Sequence, residues 1–342
     1  MKAMILQSVS DIGQNSEPLV MTEMPDPVPA ANEILIRVTA CGVCHTELDE
    51  IEGRTPPSRF PVIPGHQVIG RVTAAGRNVK RLKPGDRVGV AWIFSACGRC
   101  SYCLDGLENL CPEFKATGRD ANGGYAEYMT ASEAFAYRIP DIFTDSQAAP
   151  LLCAGAVGYR SIKLAGILNG QNIGLTGFGA SGHIVLQIIK HQYPDNKIFV
   201  FARSKTERAF ARELGALWSG DITDAVSLLL DSIIDTTPVW KTIVEALKNL
   251  KPGGRLVINA IRKEETDKDY LLNIDYPKHL WMEKEIKSVA NVTRNDVREF
   301  LNAASGIPLL PEVQEYRLDE ANIALTELKQ RKIKGAKVLV IK

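Results

Sequence analysis

Long hydrophobic runs are missing from this sequence. No segment approaches the roughly 20 apolar residues that a membrane span requires. Excess charge is missing too: 41 Lys and Arg stand against 40 Asp and Glu, a formal net charge of +1, with no basic block. That balance argues against a nucleic-acid or other polyanion partner. The opening Met1-Lys2-Ala3-Met4-Ile5-Leu6 runs into polar Gln7-Ser8 and offers no apolar core of a signal peptide, so a cytoplasmic location is expected. Cysteine is scarce at seven, an odd number, which fits reduced thiols and metal better than a disulfide framework. Internal repeats and disordered tails are likewise absent. The 342 residues, 45% hydrophobic and 24% charged, suffice for two ordinary globular domains.

The first 150 residues read mostly as β-structure. Ile34, Ile36 and Val38 alternate with Leu35, Arg37 and Thr39, and Val88-Gly89-Val90 follows the turn Lys83-Pro84-Gly85-Asp86. A short helix is expected from Cys44, because Cys44, Leu48 and Ile51 fall on one face and Gly53 stops it. After residue 153 the rhythm changes to strand–helix alternation. Strands are expected at Asn172 to Thr176, Lys197 to Ala202, Ser232 to Asp235 and Arg255 to Asn259. Helices are expected at Ile184 to His191, before Leu214-Gly215, and after Pro238. Such alternation predicts βαβ units and a parallel sheet. The last fifty residues return to a helix, Asn295 to Ala304, and a terminal strand, Lys337 to Ile341.

Two cysteine groups carry the chemistry. Cys97, Cys100, Cys103 and Cys111 form a C-x2-C-x2-C-x7-C cluster. Four thiolates close a tetrahedral Zn²⁺ completely, so such a site is structural. The bacterial ferredoxin run is the competitor, but its last spacing is three residues rather than seven and it needs further cysteines, so zinc is favoured over an iron–sulfur cluster. Cys44, His66 and Cys153 are linked by no local spacing. As two thiolates and one imidazole they would leave the fourth position of a zinc ion open, the catalytic pattern.

Gly177-Phe178-Gly179-Ala180-Ser181-Gly182 is a G-x-G-x-x-G that follows a strand and opens a helix. In that context Gly177, Gly179 and Gly182 supply a tight turn, backbone approach to a pyrophosphate and close helix–strand packing. An NAD site wants a carboxylate at the end of the next strand to grip the ribose 2′-OH. Here that place reads Phe201-Ala202-Arg203-Ser204-Lys205. With no acid present, and with Arg203 and Ser204 suited to a 2′-phosphate, the charge pattern favours NADP over NAD.

These motifs, with Cys41-Gly42-Val43-Cys44-His45-Thr46-Glu47, Pro64-Gly65-His66-Gln67-Val68-Ile69-Gly70, Lys83 to Val88, Gly123-Gly124-Tyr125-Ala126-Glu127-Tyr128 and Ala149 to Gly155, occur in one order and spacing. Over essentially its whole length the chain resembles the zinc-dependent medium-chain dehydrogenase/reductase family, alcohol dehydrogenase type. The resemblance implies an α/β protein: a GroES-like β-rich catalytic domain, 1–153 and 289–342, and a Rossmann domain, 154–288, with a doubly wound parallel sheet. It implies two zinc ions per chain, a catalytic one on Cys44, His66 and Cys153 and a structural one on Cys97, Cys100, Cys103 and Cys111. The expected substrate is a small-molecule alcohol or aldehyde, and the expected assembly a homodimer or homotetramer. Thr46 becomes the hydroxyl of a proton relay and Glu47 the acceptor for the other nitrogen of His66.

Three positions depart from the family's common pattern. Gln67 stands where an acid usually follows the zinc histidine. Asp49 stands where relays often end in histidine; a carboxylate with a pKa near 4 is a weak proton acceptor at neutral pH. His45, on the same helix face, is the alternative relay or cofactor contact. Trp92 matches a bulky pocket wall in some relatives, against the plain reading of a core tryptophan, while Thr55 lacks the second aromatic that narrows the pocket further. Zinc polyol or sugar dehydrogenases share the scaffold but often exchange a zinc cysteine for a carboxylate, which the intact Cys44 and Cys153 disfavour. A nucleotide-binding relative without turnover is disfavoured by the complete ligand set.

Overall fold

The computed structural model describes residues 1–330, 332 and 335–342. Two compact units emerge: Met1–Ala156 with Val292–Gly306 and Leu310–Lys342, and Val157–Asn291 with Ile307–Leu309.

The first unit is built on a seven-stranded sheet. Along it lie Val313–Arg317, Ala336–Val340, Glu33–Val43, Val68–Ala75, Arg87–Val90 and Ala136–Arg138, and Tyr128–Ser132 also pairs with Glu33–Val43. Only the first of these pairings is parallel. Glu33–Val43 explains why local pattern and local structure agree. Ile34, Ile36 and Val38 are buried on one face while Arg37 is exposed, the period of two that a half-buried strand imposes. From Ala40 to Val43 every residue is buried, as the strand runs into the core toward Cys44. That core gathers Ile34, Ile36, Cys41, Tyr125, Met129 and Leu339.

In the second unit six strands pair in parallel, in the spatial order Trp218–Gly220, Lys197–Phe201, Asn172–Thr176, Leu230–Asp235, Leu250–Ile258, Glu285–Ser288. The first strand in sequence, Asn172–Thr176, therefore lies between the second and the fourth. This is the doubly wound Rossmann order, whose ligand crevice opens at the carboxyl ends where the winding reverses. Helix Ala180–Gln192 turns Ile184, Val185, Ile188 and Ile189 inward, the 3.6-residue stripe of a helix packed on a sheet. One strand begins earlier than Arg255: pairing starts at Leu230 with Leu250 and resumes at Ser232 with Arg255, so Pro252-Gly253-Gly254 lies in a bulge rather than a free turn. Gly253, at φ +69°, supplies the left-handed backbone it needs. Among the described residues no helix is long and apolar enough to cross a membrane.

Candidate metal and nucleotide sites

Cys44 follows the long strand and N-caps helix His45–Ile51. The cap is reciprocal: the Cys44 sulfur accepts from Thr46 N at 3.3 Å, and Glu47 Oε2 accepts from Cys44 N at 2.8 Å. The other oxygen, Glu47 Oε1, meets His66 Nδ1 at 2.5 Å, and Glu47 and His66 are both fully buried. With Nδ1–H held there, Nε2 is left facing Cys44 Sγ at 3.7 Å. One carboxylate thus orders the first cysteine and fixes the tautomer of the histidine.

His66 is placed by backbone contacts on the preceding residues. Gly65 sits at φ +99°, and a Cβ on it would meet the Tyr125 ring at 2.4 Å and Cys41 Sγ at 2.8 Å. Gly124 N and Tyr125 N donate to Gly65 O and Pro64 O at 2.9 and 3.0 Å, clamping the turn. Cys41 itself is fully buried in the core, outside both sulfur groups. Cys153 follows the 3-10 turn Ala149–Leu152 and joins the other two, so that one donor atom from each of Cys44, His66 and Cys153 lies within 4.8 Å of the others.

The electrostatics call for a cation. Protein groups alone push the Cys44 thiol well above its ordinary range, first through its hydrogen bond with Cys153, then through burial and the Glu47 charge. Burial by itself would depress the His66 pKa, but Glu47 and Cys44 lift it well above the usual value. A zinc ion bound to sulfur deprotonates it outright, and two soft thiolates with one imidazole are a donor set that fits zinc.

The second group is compact as well. Donor atoms of Cys97, Cys100, Cys103 and Cys111 lie within 4.8 Å of one another, with 3.8 Å between the sulfurs of Cys97 and Cys103. Backbone N–H groups of Arg99 and Cys100 lower the Cys97 pKa to about 6, whereas burial pushes that of Cys103 up to about 12. The lobe is fastened to its own unit by Glu108, whose Oε1 accepts from Arg294 N and Nε at 2.6 and 2.8 Å. That anchor has no signature in the sequence, its partners being 186 residues apart.

The relay candidates separate. Thr46 is buried two residues beyond Cys44, while His45 is exposed. Asp49 is buried and ion-paired with Arg54 Nε at 2.5 Å. Sequence reasoning passed over Glu50, which is 1% exposed and whose carboxylate oxygens meet no hydrogen-bond donor at normal distance among the described residues. Burial, then the Glu47 charge, raises its pKa well above the carboxylate range. Its signal was the spacing i, i+3 from Glu47 on one helix face. Trp92 is buried with Ile93, Ala116 and Phe135, so it packs the lobe whatever else it does. The Thr55 hydroxyl is buried without a hydrogen-bond partner among the described residues.

In the second unit the glycine motif lies at the end of the central strand. Gly177 sits at φ +82°, and its N–H donates to Phe201 O at 2.9 Å. A Cβ on Gly182 would meet Gly177 O at 2.6 Å, so close helix–strand packing requires glycine there. Gly179 caps helix Ala180–Gln192, and a Cβ on it would meet nothing within 4 Å, which leaves the helix N-terminus open to a pyrophosphate. Ser204 caps helix Lys205–Glu213, its Oγ accepting from Glu207 N at 3.0 Å. Arg203 is exposed just before it.

Comparison with known proteins agrees with this geometry. Residues 30–141 match the family model described as alcohol dehydrogenase GroES-like domain. A probable alcohol dehydrogenase, AdhA, of Mycobacterium tuberculosis is 41% identical over 327 residues, covering 94% of this chain and 92% of that protein. An alcohol dehydrogenase of Geobacillus stearothermophilus is 33% identical, covering 97% and 98%. The acetophenone reductase of Geotrichum candidum, solved in complex with NAD, superimposes with a TM-score of 0.86 at 25% identity, covering 99% of this chain and 96% of that one. Together with this chain's two zinc-type ligand sets, glycine loop and Rossmann strand order, the similarity over nearly the whole length places the chain in the zinc-dependent medium-chain dehydrogenase/reductase family, as an alcohol dehydrogenase that works with zinc and NAD(P).

Proposed function

We propose that this enzyme interconverts short to medium primary alcohols and their aldehydes with two zinc ions per chain and with NADP(H) in preference to NAD(H). The observation that carries the reading is the convergence of Cys44, His66 and Cys153 within 4.8 Å. Zinc, when bound, supplies a Lewis acid that lowers the pKa of an alcohol, and the nicotinamide supplies the hydride acceptor. The remaining work falls to side chains. Glu47 holds the His66 ring and the Cys44 cap together, and the Thr46 hydroxyl passes a proton outward. Asp49, tied to Arg54, is a poor terminus for that relay, which leaves exposed His45 as the better one. Cys97, Cys100, Cys103 and Cys111 hold the second, structural ion.

The NADP preference rests on Ala202, Arg203 and Ser204. Arg203 has no acidic partner among the described residues, and the Ser204 hydroxyl keeps its proton to donate while it accepts as a cap. In this reading residues 1–153 and 289–342 carry the chemistry and 154–288 the nucleotide. The protein works in the cytoplasm, consistent with seven unpaired cysteines, as a homodimer or homotetramer. A panel of alcohols from ethanol to octanol, with matching aldehydes and both cofactors, tests the activity, with elemental analysis for metal and light scattering for assembly. Zinc-loaded protein that turns over none of them, or that holds iron, overturns the reading.

A further inference from the structure

The first unit also contains a cavity of about 900 Å³ whose wall combines apolar side chains, among them Phe94, Phe114 and Met129, with three cations, Arg59, Lys115 and Arg119. Two carboxylates line it as well, but each is already matched. Asp120 is held by Arg119 at 2.7 Å and Glu113 by Arg99 at 3.3 Å. The Met1 amino group, also at the wall, pairs with Asp26 at 3.0 Å. Arg59 and Lys115 are exposed, and among the described residues neither has an acidic partner. The cavity is therefore left with surplus positive charge beside an apolar surface.

Arg119 joins this cavity to the neighbourhood of the proposed catalytic zinc. Its guanidinium lies over the Trp92 ring at 5.4 Å and over the Phe114 ring at 5.5 Å, and those two rings pack 5.2 Å apart. The loop that carries it rests on the backbone just ahead of His66, since a Cβ on Gly118 would meet Gly65 N at 2.7 Å. Its Nε and one Nη already donate to Asp120 at 3.1 and 2.7 Å, so Arg119 stiffens the aromatic wall and leaves Arg59 and Lys115 as the unmatched charges.

We propose that this cavity is a binding site for the carboxylate of an amphipathic acid, with the chain lying against Phe94, Phe114 and Met129 and the carboxylate meeting Arg59 and Lys115. Two sources share that chemistry. One is the tail of an ω-hydroxy acid, a case that rests on the proposed zinc role of Cys44, His66 and Cys153. There the carbinol carbon gives its hydride to the oxidised nicotinamide, the hydroxyl proton leaves, an aldehyde forms, and the carboxylate is unchanged. The other is a separate acid acting as an effector.

Hexanoate is the probe. Its binding to the full-length, zinc-loaded enzyme is measured by calorimetry at low and high salt, for the wild type and for the double variant Arg59→Ala, Lys115→Ala. Both positions are exposed, so folding is not at stake. The expected result is saturable, salt-sensitive binding that weakens roughly tenfold in the variant, the scale of lost charge-assisted contacts. Hexanoate competing with hexanol, together with a wild-type preference for ω-hydroxyhexanoate over hexanol, assigns the site to the substrate's own tail. Binding without competition assigns it to an effector. No binding to the wild type, or equal affinity in the variant, overturns the site, while turnover of hexanol in the same preparation leaves the alcohol dehydrogenase activity standing.

Discussion

Replacing Glu47 by glutamine tests whether one buried carboxylate organises the proposed catalytic metal site. In the wild type each Glu47 oxygen accepts one hydrogen bond, from His66 Nδ1 at 2.5 Å and from Cys44 N at 2.8 Å. Glutamine offers one acceptor oxygen and one donor amide, so one of those N–H groups must face another donor. Glu47 is 0% exposed, which denies the orphan a water partner. If the orphan is Cys44 N–H, stability falls by about 1–3 kcal/mol. If it is His66 Nδ1–H, the ring loses its orientation, and loss of such a support costs roughly 10–100-fold in metal affinity, or about 1.4–2.7 kcal/mol. Either branch weakens the zinc-loaded state at Cys44, His66 and Cys153 and leaves the four-cysteine site alone. Chelator competition with metal counting therefore shows one of two zinc ions per chain released at lower chelator concentration in Glu47→Gln, and lower still in Glu47→Ala. Unchanged release of both ions in both variants refutes the reasoning.

Cys153→Ala should abolish turnover with the fold intact, whereas Cys103→Ser should lower Tm because it opens a closed tetrahedron; thermal scans and elemental analysis separate the two. Arg203→Ala should raise KM for NADPH far more than for NADH, and equal effects on both refute the 2′-phosphate reading. Trp92→Ala should improve relative kcat/KM for bulky aldehydes by no more than the roughly 1–3 kcal/mol of a small pocket difference, while costing about 3–5 kcal/mol of stability as a buried ring; a flat chain-length profile makes Trp92 core packing alone. Glu133 opposes its partial burial by accepting backbone N–H groups from Arg81, Lys80 and Leu82, so its folded pKa lies below the ordinary 4.5. A depressed carboxylate stabilises above its unfolded pKa and loses that contribution as pH falls through the folded one. Glu133→Gln should therefore lower Tm at pH 7, with the gap closing below about pH 4.

The sequence by itself determined what depends on near neighbours. The alternation Ile34, Ile36, Val38 specified a half-buried strand because successive side chains point to opposite faces. The stripe from Ile184 to Ile189 specified a packed helix. The spacing of Cys97, Cys100, Cys103 and Cys111 specified a cluster of four sulfurs, since those residues meet without any distant segment. Gly177, Gly179 and Gly182 marked a turn whose geometry excludes side chains at Gly177 and Gly182. The tertiary structure alone decided what depends on sheet register and long-range closure. It brought Cys153 to Cys44 and His66, set Arg294 against Glu108, laid Arg119 over Trp92, engaged Asp49 with Arg54, and buried Glu50 near the Glu47 charge. No local period records such pairs, because which distant side chains meet is fixed only when strands pair and loops close, and a shift of one residue in register sends every side chain to the opposite face.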